Sequence, residues 1–390
     1  MSTIDKFNEH VMMTYGRLPI VLDKGHNGEA VDESGKEYID FGSGIGTNSL
    51  GYTNDKWADA VCEQVRSIQH TSNYFYTKVQ ADFADKLCSA TGYEKVFFGN
   101  SGAEANECAI KIARKYSFDK YGKGRHTIVT LVNSFHGRTV TTLSATGQDV
   151  FHNYFFPFTE GFVHTPANDT EALEKLLEED KSICAVMFEF IQGEGGVNVL
   201  EQPFVDRIFE LCAERDILTV ADEVQTGLGR TGAVLTSQLY GVKPDITTLA
   251  KGIAGGLPMG ACLAGEKCGD VLTKGTHGST FGGNPIACAG ANVVLDTLLS
   301  EGFMDSVNEK GFYLVNKLLE IPEVEGVDGM GLMLGVRLKS KKAADILLKC
   351  AENGLLVLTA KDKIRLLPPL NITKEDIDKG TEIFKGVLED

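Results

Sequence analysis

The sequence predicts an α/β fold, a mostly parallel central sheet flanked by helices, with a smaller α+β domain built from both termini. Three observations predict it. Short β-branched runs alternate with longer amphipathic runs through the middle of the chain. Both ends depart from that alternation, the first toward short strands and turns, the last toward helices separated by single strands. The length, 390 residues, exceeds what one hydrophobic core comfortably fills, so a large domain and a smaller one follow.

Taken in order, residues near Pro19–Asp40 read as short strands with turns at His26-Asn27-Gly28 and Glu33-Ser34-Gly35. Next comes a short apolar strand, Val96-Phe97-Phe98, and a helix over Glu104–Tyr121. The strand candidates that follow are Thr127–Val132, Ile183–Phe188, Ile217–Ala221, Ile246–Leu249 and Ala261–Ala264. Helical patterns at Thr170–Glu179 and Pro203–Arg215 separate several of them, which argues for parallel pairing. From about Leu298 come a helix, the strand-like Met333–Leu338, a second helix, Ile364–Leu367, and a last helix beginning near Thr373. The expected division is 1–45 and 293–390 for the two parts of the small domain, with 46–292 as the large one.

The formal net charge is −16, and an acidic surface repels a phosphate backbone, so general nucleic-acid binding is not expected. A small phosphorylated ligand remains compatible, because local backbone dipoles can hold it. No apolar run approaches the length that crosses a membrane. Met1–Lys6 lacks the basic-then-apolar order of a signal peptide, so a cytoplasmic location is expected. The nine cysteines form no Cys-x-x-Cys pair and lie mostly in apolar stretches, as reduced buried thiols do. Cys262, Cys268 and His277 fit no zinc spacing, and no metal is expected.

Three segments carry chemistry. In Gly99-Asn100-Ser101-Gly102-Ala103-Glu104, Ser101 and Glu104 form a Ser-x-x-Glu capping box, and two small residues leave the first helix amides uncovered. Such a start binds phosphate; an ordinary well-capped helix reads the same. In Ile217–Gln225, Asp222 ends a buried strand where a ligand binds such a sheet. Its carboxylate suits the pyridine nitrogen of pyridoxal phosphate, which needs an anion to stay protonated, and Gln225 suits the ring hydroxyl; a helix-capping Asp is the plain alternative. Lys251 is the only charge between Asp245 and Glu266, and burial there turns an amine into a nucleophile, unless the side chain snorkels to the surface.

The ordered set Ser101–Asn106, Ser134–Thr139, Glu189–Gly196, Asp222–Gly227, Lys251-Gly252 and Ser279–Pro285 closely resembles the class III pyridoxal-phosphate aminotransferases. The resemblance runs from about Tyr15 to Leu370. It implies the fold-type-I architecture, pyridoxal 5'-phosphate as cofactor, and a homodimer with shared active sites. It gives Lys251 and Asp222 the catalytic roles, with Phe135 stacked on the ring and Gln225 on its hydroxyl side. Ser101, Gly102 and Ala103 would hold the phosphate, and Thr280 would reach the phosphate of the neighbouring subunit. Relatives often carry Thr at position 103, so Ala103 contributes only its backbone. Tyr15, Arg138, Glu189, Glu194, Ser279 and Arg365 fall on the substrate side. Arg138 would hold the carboxylate of N-acetylornithine, and Arg365 the α-carboxylate of glutamate or 2-oxoglutarate, with Glu194 masking Arg365 in between. Free ornithine, succinylornithine, succinyl-diaminopimelate and 4-aminobutyrate suit the same pocket.

Three other readings compete. Gly227-Leu228-Gly229-Arg230-Thr231-Gly232 matches the G-x-G-x-x-G of NAD-binding dehydrogenases, although Asp222 and Glu223 would then face a pyrophosphate. A mutase or decarboxylase, or a non-catalytic cofactor-binding protein, would keep the cofactor. The first does not need Arg138, Arg365 and Glu194 together, and the second has no need of Lys251, Asp222 and Arg138 together.

Overall fold

In the computed structural model, which describes residues 1–390, the central sheet has seven strands. Their spatial order is Lys95–Gly99, Gly260–Ala264, Ile246–Leu249, Leu218–Asp222, Ile183–Phe188, Thr127–Leu131 and Phe162–Thr165. All pairings are parallel except those of Gly260–Ala264, which runs antiparallel to both neighbours.

The inner strands are buried along their whole length, and that is why they read as unbroken apolar runs rather than alternating ones. Alternation survives in which face each side chain takes. Val186 and Phe188 join Leu173, Leu177, Phe204 and Ile208 from the helices Thr170–Glu179 and Gln202–Arg215. Ala185 and Met187 point the other way, onto Cys108, Ala109 and Ile112 of the helix Gly102–Tyr121. All nine cysteines are unpaired, and seven are buried.

The two ends of the chain meet. Leu22–His26, Glu29–Asp32 and Glu37–Asp40 form an antiparallel meander, and Leu355–Leu356 adds to it in parallel beside Ile39 and Asp40. A second four-stranded sheet comprises Val324–Met330, Met333–Leu338, Lys363–Leu366 and Leu358–Ala360. Val324–Met330 was not anticipated, because Gly326 and Gly329 interrupt its pattern. The strand expected at 217–221 runs one residue later, to Asp222, which pairs with Thr248. No single helix is long and apolar enough to cross a membrane.

The last helix, Lys374–Glu389, is capped by Thr373, which accepts from Asp376 N at 3.0 Å. Its Gly380 lies against the N-terminal Phe41, and a Cβ there would stand 2.3 Å from the ring. Gly380→Val therefore forces the two ends apart, and overpacking of this kind costs about 1–3 kcal/mol. The urea midpoint is expected to fall by that amount, with the slope of the transition unchanged.

Candidate active site

The C-terminal ends of the parallel strands converge on one cavity of about 420 Å³. Lys95–Gly99 ends in small residues, and the helix starts at Gly102, with Ser101 accepting from Glu104 N at 3.2 Å. The expected capping box is only half made. The Glu104 carboxylate reaches past Ser101 to Asn100, accepting from its backbone N at 2.7 Å and its Nδ2 at 2.8 Å. Gly99 makes room for it, since a Cβ there would stand 2.9 Å from Glu104 Oε2. The amides of Gly102 and Ala103 have no intrahelical partner and line the cavity, a ready site for a phosphate.

Opposite them Asp222 is buried at the end of its strand. Its Oδ2 accepts from Asn106 Nδ2 and His136 Nδ1, both at 2.8 Å, and its Oδ1 from Val224 N at 3.0 Å. Asn106 also donates to His136 O at 2.8 Å and accepts from Thr248 Oγ1 at 2.7 Å, so one amide side chain ties three elements to the acid. His136 Nε2 is buried without a partner. Sequence reasoning gave Asn106, His136 and Thr248 no role. The available signal was a polar residue at a core position of the helix, next to Ala105 and four residues before Ile110.

Lys251 follows the strand Ile246–Leu249 in a backbone conformation rare for a side-chain-bearing residue, φ +43°. Strain of this kind collects at functional positions. Burial lowers the pKa of its amine, against the pull of Glu194, Asp222 and Glu189. Those carboxylates are bonded elsewhere. Glu189 accepts from Phe135 N at 3.0 Å, and burial, then the charge of Asp222, raises its pKa well above the ordinary value.

Glu194 pairs with Arg365 through contacts of 2.5 and 3.4 Å. Burial pushes the Glu194 carboxyl up, but the Arg365 guanidinium more than reverses this and holds it below its usual value. Gln225 lines the cavity and links it to this pair, accepting from Arg365 Nη1 at 3.1 Å. Arg138 is exposed at the wall, its guanidinium 3.9 Å over the Phe151 ring and 5.4 Å over Phe135.

Ser101, Gly102, Ala103, Phe135, Arg138, Glu189, Asp222, Gln225 and Lys251 all line the cavity. Tyr15, Glu194, Ser279, Thr280 and Arg365 do not; the Glu194–Arg365 pair lies behind Gln225. Tyr15 is 72% exposed. The Ser279 hydroxyl accepts from Asn100 Nδ2 at 3.1 Å and from Gly282 N at 3.0 Å, and Thr280 faces outward. Thr47, Val224 and Gly256–Met259 also line the cavity and were not anticipated.

An unpaired amine whose charged form burial disfavours needs a carbonyl to react with, and bare helix amides across the cavity need a phosphate. A buried carboxylate with one edge toward the cavity needs a cationic ring nitrogen. The residues fit one group that offers all three, and this defines a pyridoxal-phosphate-dependent enzyme. A family model described as aminotransferase class-III matches residues 11–388. An acetylornithine aminotransferase of Haemophilus ducreyi is 49% identical over 382 residues, covering 98% of this chain and 97% of that one. Among solved structures, an ornithine aminotransferase from Toxoplasma gondii superposes with a TM-score of 0.94 at 34% identity, over 99% of this chain and 94% of that one. An acetylornithine aminotransferase from Elizabethkingia anophelis does so at 0.89 and 37%, over 99% and 98%. The chain belongs to the class-III aminotransferases, enzymes that use pyridoxal 5'-phosphate.

Asn106→Ala leaves Asp222 one donor short and the Thr248 hydroxyl unpaired, at a cost of about 1–3 kcal/mol. The urea midpoint of the cofactor-free protein is expected to fall accordingly, and pyridoxal phosphate to bind more weakly in a fluorescence titration.

Proposed function

We propose that this chain transfers the terminal amino group of N-acetylornithine to 2-oxoglutarate, giving N-acetylglutamate 5-semialdehyde and glutamate, a step of arginine biosynthesis. The inequality of the two arginines carries this reading. Arg138 lies at the cavity wall on aromatic rings with its charge free, whereas Arg365 is covered by Glu194. A donor with one carboxylate far from its reacting amine uses Arg138 and leaves the covered pair alone. A dicarboxylate such as glutamate uses both arginines and must displace Glu194. The name of the Haemophilus ducreyi relative supports the same donor.

The proposed roles follow from chemistry. Gly102 and Ala103 offer amides to the phosphate, with Ser101 capping the same helix. Phe135 would pack on the ring, Asp222 would meet its nitrogen, and Gln225 would lie on its hydroxyl side. The cofactor, when bound, supplies the electron sink that makes the amine-bearing carbon acidic. Lys251 yields its place to the substrate amine, and its Nζ then carries the proton off that carbon. Glu189, held by Phe135 N, fixes the loop that presents Phe135 and Arg138. Because Arg365 keeps the Glu194 carboxyl low, the pair is fully formed at neutral pH. It is lost only as pH falls through that lowered value.

A second copy of the chain completes the site in this reading. Tyr74, Phe75 and Phe281 are 92%, 68% and 60% exposed, an apolar surface beside Thr280 that a homodimer would cover. Thr280 then reaches the phosphate held by the other copy, and Ser279 and Tyr15 face the shared cavity. We place the enzyme in the cytoplasm. Free ornithine is the second candidate donor, favoured by the superposition on the Toxoplasma gondii ornithine aminotransferase.

The deciding experiment adds N-acetylornithine to the cofactor-loaded protein without an oxo acid and follows the cofactor's visible absorption. Bleaching that 2-oxoglutarate restores is the expected result; bleaching by ornithine alone would transfer the assignment to that donor. Lys251→Ala is expected to abolish turnover while leaving the fold intact, and near-normal turnover in that variant would overturn its role. Glu194→Gln is expected to uncover Arg365 and shift the ratio of glutamate to N-acetylornithine half-reaction rates by about tenfold toward glutamate, equivalent to roughly 1.4 kcal/mol.

A further inference from the structure

The Gly227–Gly232 segment, which resembles a dinucleotide loop, spends nearly all of its amides inside the turn rather than leaving them for a phosphate. Gly227 N donates to Glu223 O at 2.9 Å, Leu228 N to Val234 O at 2.7 Å, Gly229 N to Ala233 O at 3.0 Å, and Gly232 N to Gly229 O at 3.0 Å. Its outer face is instead pressed onto the C-terminal part of the chain. A Cβ on Gly232, at φ +94°, would stand 1.9 Å from Asn308 Oδ1, and one on Gly331 would stand 2.6 Å from Thr231 C.

At the centre of this contact Arg230 is 3% exposed and has no carboxylate partner. Burial alone lowers its pKa to about 9. Its Nη1 donates to Leu332 O at 3.0 Å and to Pro368 O at 2.5 Å, and its Nη2 has no partner. A buried cation without a counterion is unfavourable, and a neutral side chain would fill the same space more cheaply. What the guanidinium provides is one nitrogen, Nη1, that holds two carbonyls together, Leu332 O from the turn before the strand Met333–Leu338 and Pro368 O from the segment after Lys363–Leu366.

One of those carbonyls belongs to Pro368, three residues after Arg365. The segment leaving that strand is held throughout. Ser43 Oγ donates to Leu367 O at 2.5 Å, Leu370 N to Ser49 O at 2.8 Å, and Lys310 Nζ to Leu370 O at 2.6 Å. Arg230 alone ties it to the loop that follows Asp222 and Gln225, and Gln225 is the residue bonded to Arg365. We propose that Arg230 is a positioning residue for the Arg365 clamp, setting its register against Gln225 and Glu194 and so tuning the dicarboxylate half-reaction. This rests on Arg365 receiving the α-carboxylate of glutamate or 2-oxoglutarate.

The test is single-turnover kinetics of both half-reactions in Arg230→Met and Arg230→Lys, normalised to bound cofactor. The expected result is a selective defect. The concentration of 2-oxoglutarate for half-maximal rate rises about tenfold or more, while the N-acetylornithine half-reaction changes far less, because small displacements at a clamp are costly. A merely structural role would lower both half-reactions together, and that outcome, or no change in either, overturns the proposal. If Arg230→Met does not fold, Arg230→Lys gives the same readout, since the shorter side chain keeps the charge but sets its nitrogen at a different distance from the two carbonyls. Arg365→Leu run in parallel separates the two levels of the argument. A 2-oxoglutarate defect there without one at Arg230 overturns only the positioning role, and no defect in Arg365→Leu overturns the clamp itself.

Discussion

The chemistry of this fold depends on keeping one amine out of water. Lys251 follows a strand that is buried along its length, and desolvation outweighs the three carboxylates that pull its pKa up. A unit charge about 4 Å away through an effective dielectric near 20 is worth roughly 4 kcal/mol, or about three pKa units. One carboxylate swinging onto Lys251 would be enough to hold it as an inert ammonium. Each is therefore committed to other donors: Asp222 to Asn106, His136 and Val224 N, Glu189 to Phe135 N, Glu194 to Arg365. The hydrogen bonds around the site keep acids and amine apart within one small cavity.

Sheet geometry brings these groups together without long side chains. Parallel strands deliver Phe135, Glu189, Asp222 and Lys251 from the same edge, each at or just past the end of its strand. The one antiparallel strand, Gly260–Ala264, begins at that edge, opposite Gly99. A Cβ on Gly260 would stand 2.1 Å from Ser101 O, and one on Gly102 would stand 2.8 Å from Val224 Cγ1. Glycine at both positions lets the helix start close against the strand ends. That closeness places the bare amides across the cavity from Asp222.

What was legible in the sequence follows from the same physics. A strand buried on both faces is a short apolar block, so the inner strands and their helices were readable almost to the residue. Lys251 was readable because a solitary charge in an apolar, glycine-rich stretch is costly unless used. Asp222 was readable because it ends such a block. Val324–Met330 was not, since its two glycines pack against neighbouring chain and leave no pattern. Asn106, His136 and Thr248 were missed because their importance is relational: each is ordinary alone and becomes necessary only when the fold sets it on Asp222. Thr280, Ser279 and Tyr15 were assigned by resemblance alone, and a single chain leaves all three off its own cavity wall.

The glycine-rich turn after Asp222 shows why a motif must be read through its hydrogen bonds. In a dinucleotide site the glycines free backbone amides for a pyrophosphate. Here nearly every amide of the same spacing is spent inside the turn, and two of the glycines serve close packing instead. A Cβ on Gly227 would stand 2.6 Å from the Leu249 side chain, and Gly232 meets Asn308. The two carboxylates before the turn point the same way. Glu223 accepts from Thr236 N and Ser237 N, and Asp222 from Asn106 while facing the cavity, so both set negative charge where a pyrophosphate would have to lie. The one uncompensated charge is Arg230, and its Nη1 points to the carbonyls of Leu332 and Pro368 in the C-terminal part of the chain. The turn is therefore a joint between the acid that faces the cofactor and the strand that carries Arg365. Any shift of that joint is felt first at the gate between Arg365 and Glu194.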